Sequence, residues 1–166
     1  MTPFYCYLDF DGCLHSEDVM VDAAGEPYIR SPAGAVLFEN APLLEQLLEP
    51  YPRVRIILST SWVRTIGHDQ AVARLTPALA ARVIGSTFMP SGSWGAPAST
   101  PRGREVMADV HRRGFALWQW LCVDDADEAW PEHVRDNLVL VEDPAMGIRH
   151  PKTHAELVDK LKRFAA

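Results

Sequence analysis

Phe4-Tyr5-Cys6-Tyr7-Leu8-Asp9-Phe10-Asp11-Gly12 is an apolar run that ends on two carboxylates and a glycine. Without polar alternation, the run reads as a strand buried on both faces, which is the pattern of a parallel sheet. The glycine permits a sharp turn out of the strand. Working outward, the same pattern recurs. Arg53 to Leu58 ends on Ser59-Thr60-Ser61, Trp118 to Val123 ends on Asp124-Asp125, and Leu138 to Val141 ends on Glu142-Asp143. Arg82-Val83-Ile84 is a weaker fifth run.

Between these runs lie helical patterns. Pro42 to Glu49 places Leu43, Leu44, Leu47 and Leu48 on one face, with Asn40 as the expected N-cap. Ala71 to Ala81, Arg104 to Arg113 and Thr153 to Phe164 repeat apolar residues at helical spacing. Strands alternating with helices predict a parallel sheet covered on both faces. The stretches Gly12 to Pro32 and Pro90 to Pro101, rich in Gly, Pro and Ser, read largely as loops. At 166 residues the chain is expected to form a single domain, 1–166, with 12–35 as a flap or small insert and 88–101 as a loop.

Composition narrows the classes. The net charge of −6 argues against non-specific nucleic-acid affinity, though not against a local basic patch. Three cysteines, Cys6, Cys13 and Cys122, do not suggest a disulfide framework and fit a reducing compartment. No apolar run approaches the roughly 18 residues of a membrane span. With no basic, apolar leader at Met1, the expectation is a cytoplasmic protein without a membrane partner.

Ligands of an open parallel sheet bind beyond the carboxyl ends of its strands. Asp9, Asp11, Ser59, Thr60, Asp124 and Asp125 all fall at such ends. Acidic clusters brought together repel one another and resist desolvation. A hard divalent cation removes the conflict, and Mg²⁺ suits best because a substrate phosphate can complete its shell. An ionised Asp is a competent nucleophile toward phosphorus, and a carboxylate two residues on can protonate the leaving oxygen. The Ser59 hydroxyl, with Thr60 beside it, and a cation from Arg102 or Arg104 can hold the phosphoryl oxygens. Taken singly, each feature has a plainer reading as turn, cap or solvated face; their shared place after apolar runs favours a site. His15, His68, His111, His133, His150 and His154 lack metal-ligand spacing and read mostly as surface residues. Cys13 reads as a small buried thiol, Trp62 and Trp94 as packing residues first, and Glu142-Asp143-Pro144 as a site rim or a turn.

These motifs resemble those of haloacid-dehalogenase-like phosphatases. Tyr7-Leu8-Asp9-Phe10-Asp11-Gly12 is similar to the first motif, Ile57-Leu58-Ser59-Thr60-Ser61-Trp62 to the second, and Cys122-Val123-Asp124-Asp125 to the fourth in its double-aspartate form. Arg102-Gly103-Arg104-Glu105-Val106 stands where the third motif's basic residue belongs, here arginine rather than the commoner lysine. Arg82 to Thr87 and Asp143 to Ile148 further resemble the small branch associated with multidomain bacterial RNA-repair proteins.

The resemblance implies a three-layer α/β/α Rossmann-like fold and a five-stranded parallel sheet with the first strand central; the roughly twenty residues from Gly12 to Pro32 are too few for a separate domain, so little or no cap is expected. The resemblance also implies that Asp9 forms an aspartyl-phosphate and that Asp11 is general acid, then general base. Mg²⁺ would be held by Asp9, the Asp11 backbone carbonyl, Asp124 and Asp125, with Ser59 on the phosphoryl group. The expected activity is a Mg²⁺-dependent phosphomonoesterase whose phosphorylated substrate is a nucleic-acid end or another bulky phosphate. The rivals are an accessory binding module in a nucleic-acid repair assembly and a receiver-like phosphoacceptor. Asp11 opposes the latter, because a receiver gains nothing from a group that hastens loss of its phosphate.

Overall fold

The computed structural model describes residues 2–88 and 99–165. In chain order the strands and helices are β1 (Phe4–Leu8), β2 (Asp18–Val21), β3 (Pro27–Ser31), α1 (Ala41–Leu48), β4 (Val54–Leu58), α2 (Trp62–Ile66), α3 (His68–Val72), α4 (Pro77–Ala80), β5 (Val83–Ser86), α5 (Arg102–Arg113), β6 (Trp120–Asp124), β7 (Leu138–Leu140) and α6 (Pro151–Phe164). Five of the strands form a parallel sheet of order β5-β4-β1-β6-β7, with β1 in the middle as expected.

Successive side chains of a strand point to opposite faces. Cys6 and Leu8 of β1 therefore join one core, built with Leu44 and Leu48 of α1, Val63 and Leu79 of the α2–α4 region, and Leu157 and Leu161 of α6. Tyr7 joins the other, with Val106 and Val110 of α5, Trp120, and Val134 from a 3-10 turn at Glu132–Asn137. Burial on both faces is why the strands carry apolar runs rather than alternation. The chain builds outward from β1 through β4 to β5, then returns to lay β6 and β7 on the other side. The carboxyl end of β1 is thus the topological switch point, where neighbouring connections diverge and leave a crevice.

Several local expectations are corrected. The single helix expected over Ala71 to Ala81 is two short helices, α3 and α4. The break falls at Thr76-Pro77: a residue before proline is pushed out of helical conformation, and Thr76 is extended with its Oγ1 accepting from the Leu79 N–H at 3.3 Å. Trp118 lies outside β6, in a short 3-10 turn, and is exposed. Part of the loop expected after Gly12 is an antiparallel hairpin, β2–β3. The expectations for the 88–101 loop and for Trp94 fall mostly or wholly outside the described residues. No helix among the described residues is long and apolar enough to cross a membrane.

Asn40 precedes α1 but makes no side-chain cap. Its Nδ2 instead donates to the Cys13 carbonyl at 3.1 Å and the Met146 carbonyl at 2.9 Å. This buried amide ties the turn after β1 to the turn before α6. Asn40→Ala removes this donor from the Met146 carbonyl, while the Cys13 carbonyl keeps the Ile148 N–H, so a loss of about 1 kcal/mol in unfolding free energy is expected. Urea denaturation measures it; a loss under about 0.5 kcal/mol would show that the two turns do not depend on this bridge.

Candidate active site

Two backbone hydrogen bonds extend the sheet ladder past the strand ends. The Asp9 N–H donates to Val123 O at 3.1 Å, and the Ser59 N–H donates to Leu8 O at 2.8 Å. Asp9 and Ser59 are therefore held side by side by the sheet itself, with Asp124 at the end of the neighbouring β6. Carboxylate oxygens of Asp9, Asp124 and Asp125 lie within 4.8 Å of one another. Gly12 makes this approach possible for two reasons. Its φ of +72° is a left-handed turn that side chains resist, and a Cβ there would stand 2.2 Å from Asp125 Oδ2.

Arg102, the first residue of α5, faces this cluster. Its Nε is 3.2 Å from Asp124 Oδ2, its Nη2 3.7 Å from Asp9 Oδ2 and its Nη1 3.5 Å from Glu105 Oε2. The helix start is pressed against the loop after β6, because Gly103 has no Cβ: one would meet the Ala129 carbonyl oxygen at 2.6 Å. Arg104 is exposed on α5 and is absent from the lining of the cavity. Of the two arginines considered from sequence, the fold brings Arg102 to the carboxylates. Glu105, buried beneath, accepts from the Thr87 hydroxyl and from Arg64 Nη2 at 3.0 Å.

The hydroxyls divide. Ser59 is fully buried, and its Oγ has no hydrogen-bond partner among the described residues. The Thr60 hydroxyl accepts from the Trp62 N–H at 3.4 Å, and Ser61 rather than Thr60 lines the cavity. That cavity, of about 510 Å³, is lined by Asp9, Ser61, Arg64, Arg102 and Asp125 among others.

Electrostatics here are unbalanced. Burial, followed by the Asp124 charge, pushes Asp9 well above the usual carboxylate range despite Arg102 and the Phe10 N–H. Burial raises Asp124 to about 7 against the pull of Arg102. Burial, followed by Glu17, raises Asp125 to about 6. Burial alone would lower Arg102, but Asp9, Asp124 and Glu105 outweigh it and carry its pKa up. Asp124 Oδ2 is also buried without a hydrogen bond. Three crowded carboxylates, one oxygen of which meets Arg102 Nε at 3.2 Å yet makes no hydrogen bond, are a donor set that fits a hard cation.

Asp11 is not in that cluster but is held tightly. Its Oδ1 receives the Trp62 Nε1–H at 2.7 Å and His15 Nε2 at 2.9 Å. His15 Nδ1 accepts the Phe38 N–H at 3.1 Å. Since Nδ1 must be bare to accept, the ring proton is on Nε2 and points at Asp11. His15 is fully buried against Phe38 and Trp62, which corrects its reading as a surface residue. Trp62 packs against Phe10 and also binds Asp11, so packing and site roles coincide. Glu142-Asp143 forms a turn: Asp143 caps Ala145, and Glu142 pairs with Lys152. Sequence reasoning missed His15, Arg64 and Glu105. His15 carried a signal in its place four residues after Asp11; Arg64 and Glu105 carried none.

Comparison with known proteins finds no match among curated ones. A family model described as the HAD domain in Swiss Army Knife RNA repair proteins matches residues 5–153, which include all the carboxylates above and every strand residue but Phe4. The chain belongs to this family of haloacid-dehalogenase-like domains.

Proposed function

We propose that this chain is a Mg²⁺-dependent phosphomonoesterase acting through an aspartyl-phosphate. One observation carries the reading: Asp9 ends the central strand beside Arg102, while Asp11, two residues on, has one carboxylate oxygen fixed by two N–H donors. Asp9 attacks phosphorus, and the ester P–O bond breaks. The electron pair leaves with the ester oxygen, which takes a proton from Asp11. His15 and Trp62 occupy Oδ1, so Oδ2 is the oxygen that carries this proton. In the second half, Asp11 removes a proton from water as it attacks the aspartyl-phosphate. The phosphorus–Asp9 bond then breaks, releasing phosphate. Arg102 supplies a planar fork to the non-bridging oxygens, with Ser59 and Thr60 at the adjoining strand end.

Asp9, Asp124, Asp125 and the Asp11 backbone carbonyl are the residues that would hold Mg²⁺. Bound there, the ion offsets the charge of the carboxylates and of the phosphoryl group. The family's occurrence in RNA repair proteins supports a phosphate at a nucleic-acid end as the substrate class. An accessory, non-catalytic domain has the same family support, but the firm placement of Asp11 favours chemistry.

Asp9→Asn should reduce kcat by several orders of magnitude, about 5 kcal/mol or more in the barrier, with the fold intact by circular dichroism. Retention of a tenth of the activity, roughly 1.4 kcal/mol, would sink the nucleophile assignment. Asp11→Asn keeps an acceptor for His15 and Trp62 but loses the proton. It should slow alkyl phosphates far more than nitrophenyl phosphate, whose leaving group needs no acid. Equal losses on both would count against the acid role.

Metal and pH are linked. Asp124 and Asp125, raised to about 7 and about 6, bind protons more tightly when folded than at their ordinary value of 3.8. The metal-free protein therefore binds more protons than its unfolded chain between about pH 4 and 7, and its stability falls as pH rises through that window. Mg²⁺ at a hundred times its Kd should restore about 2.7 kcal/mol above pH 7. Thermal melts with Mg²⁺ and with chelator test this; a melting temperature indifferent to Mg²⁺ contradicts it.

A further inference from the structure

A second cleft adjoins the first. It lies between the β2–β3 hairpin and α2, and is walled by Val19, Val21, Pro27, Trp62 and Ile66. Ser61 and Thr65 line both spaces, so the cleft and the cavity above Asp9 meet along these two residues. Their assignments differ in a way that matters chemically. Asp9 lines the larger cavity, whereas Asp11 lines the cleft. Resting on the phosphatase reading above, phosphorus sits at Asp9 and the departing oxygen sits at Asp11. The organic part of the substrate then begins at the mouth of this cleft.

We propose that the cleft is a subsite for the unsaturated ring of the leaving group, the base of a terminal nucleotide. Its volume of about 210 Å³ is below the roughly 300–1,000 Å³ of ordinary small-molecule pockets, so it takes one ring system rather than a whole ligand. Its walls are apolar and come from both sides. Val21 is 59% exposed on the hairpin, an apolar surface left open to a flat partner. Ser61 and Thr65 are exposed at the shared edge, where their hydroxyls can meet the polar rim of a base. Cover by the hairpin on one side and α2 on the other sandwiches the ring, which favours every base through its faces without selecting one. The same contact fixes the ester oxygen near Asp11, because the ring and the phosphoryl group are then both anchored.

The test compares adenosine 5′-monophosphate with ribose 5-phosphate, in Mg²⁺, on the full chain. Both lose a phosphate from the same kind of primary alcohol, so the acid chemistry is alike and the difference reports the ring. The nucleotide should have a kcat/KM roughly tenfold higher. Val21→Asp and Ile66→Ala, on opposite walls, should each bring the ratio back toward one. Adenosine alone, titrated into labelled protein, should shift the methyl resonances of Val19, Val21 and Ile66 saturably, and less in Val21→Asp. Equal kcat/KM for the two phosphates overturns the proposal, as does an advantage that survives in both variants or an adenosine titration that leaves these methyls unmoved. If no phosphomonoester at all is turned over, the phosphatase reading fails by itself, and the adenosine titration still decides whether the cleft receives a ring.

Discussion

Everything at the carboxyl end of the sheet is arranged around a repulsion. Asp9, Asp124 and Asp125 bring their oxygens within 4.8 Å of one another, with Asp9 and Asp124 buried and Asp125 half-buried. Like charges that close resist joint ionisation, and burial resists it further. Arg102 is the counterweight the chain itself provides, reaching Asp9, Asp124 and Glu105 together. Glu105 is shared with Arg64, and burial, ahead of any neighbouring charge, keeps Asp9 and Asp124 shifted upward in spite of Arg102. Two missing side chains hold the arrangement in place: Gly12 admits Asp125, and Gly103 admits the helix that carries Arg102. Such a site is relieved by any cation or proton that it takes up.

The two aspartates of the first motif live in different surroundings although only Phe10 separates them. Asp9 is buried among charges; Asp11 is half-buried and held by neutral N–H donors from Trp62 and His15. The Phe10 ring, turned into the core against Phe38 and Trp62, separates their directions. Residues two apart in a strand share a face, so it is the turn out of β1 that sends the two carboxylates into different surroundings. The hairpin follows directly from that turn, so the wall of the second cleft is tied to the residue that would protonate the leaving group.

The region that positions these groups is cross-braced by a few buried polar contacts. Asn40 joins the turn after β1 to the turn before α6, and Glu105 joins α5 to Thr87 and Arg64 beyond β4 and β5. Neither contact lies between sequence neighbours. Each depends on a helix having already packed onto the sheet, and each in turn fixes a loop that borders the carboxylates.

What the sequence by itself determined is the sheet and the acidic centre. Runs such as Phe4 to Leu8 and Ile56 to Leu58, alternating with helical patterns, fit strands of a covered parallel sheet, and the polar residues that end them then gather at one edge. The choice between Arg102 and Arg104 was only half legible: the spacing from Glu105-Val106 favours Arg102 but leaves Arg104 open. Packing decided it, through the close approach of Gly103 to Ala129, which turns one arginine inward and leaves the other exposed. The spacing of His15 from Asp11 was the one hint of its role, whereas the pairing of Arg64 with Glu105 was hidden, because a side chain's partner is set by which surfaces meet in space. Local periodicity also misjudged Ala71 to Ala81, where Pro77 forbids the continuous helix that the apolar spacing suggests. Periodicity records which residues need burial; only the tertiary structure settles against what they are buried, because those contacts join segments far apart in the chain.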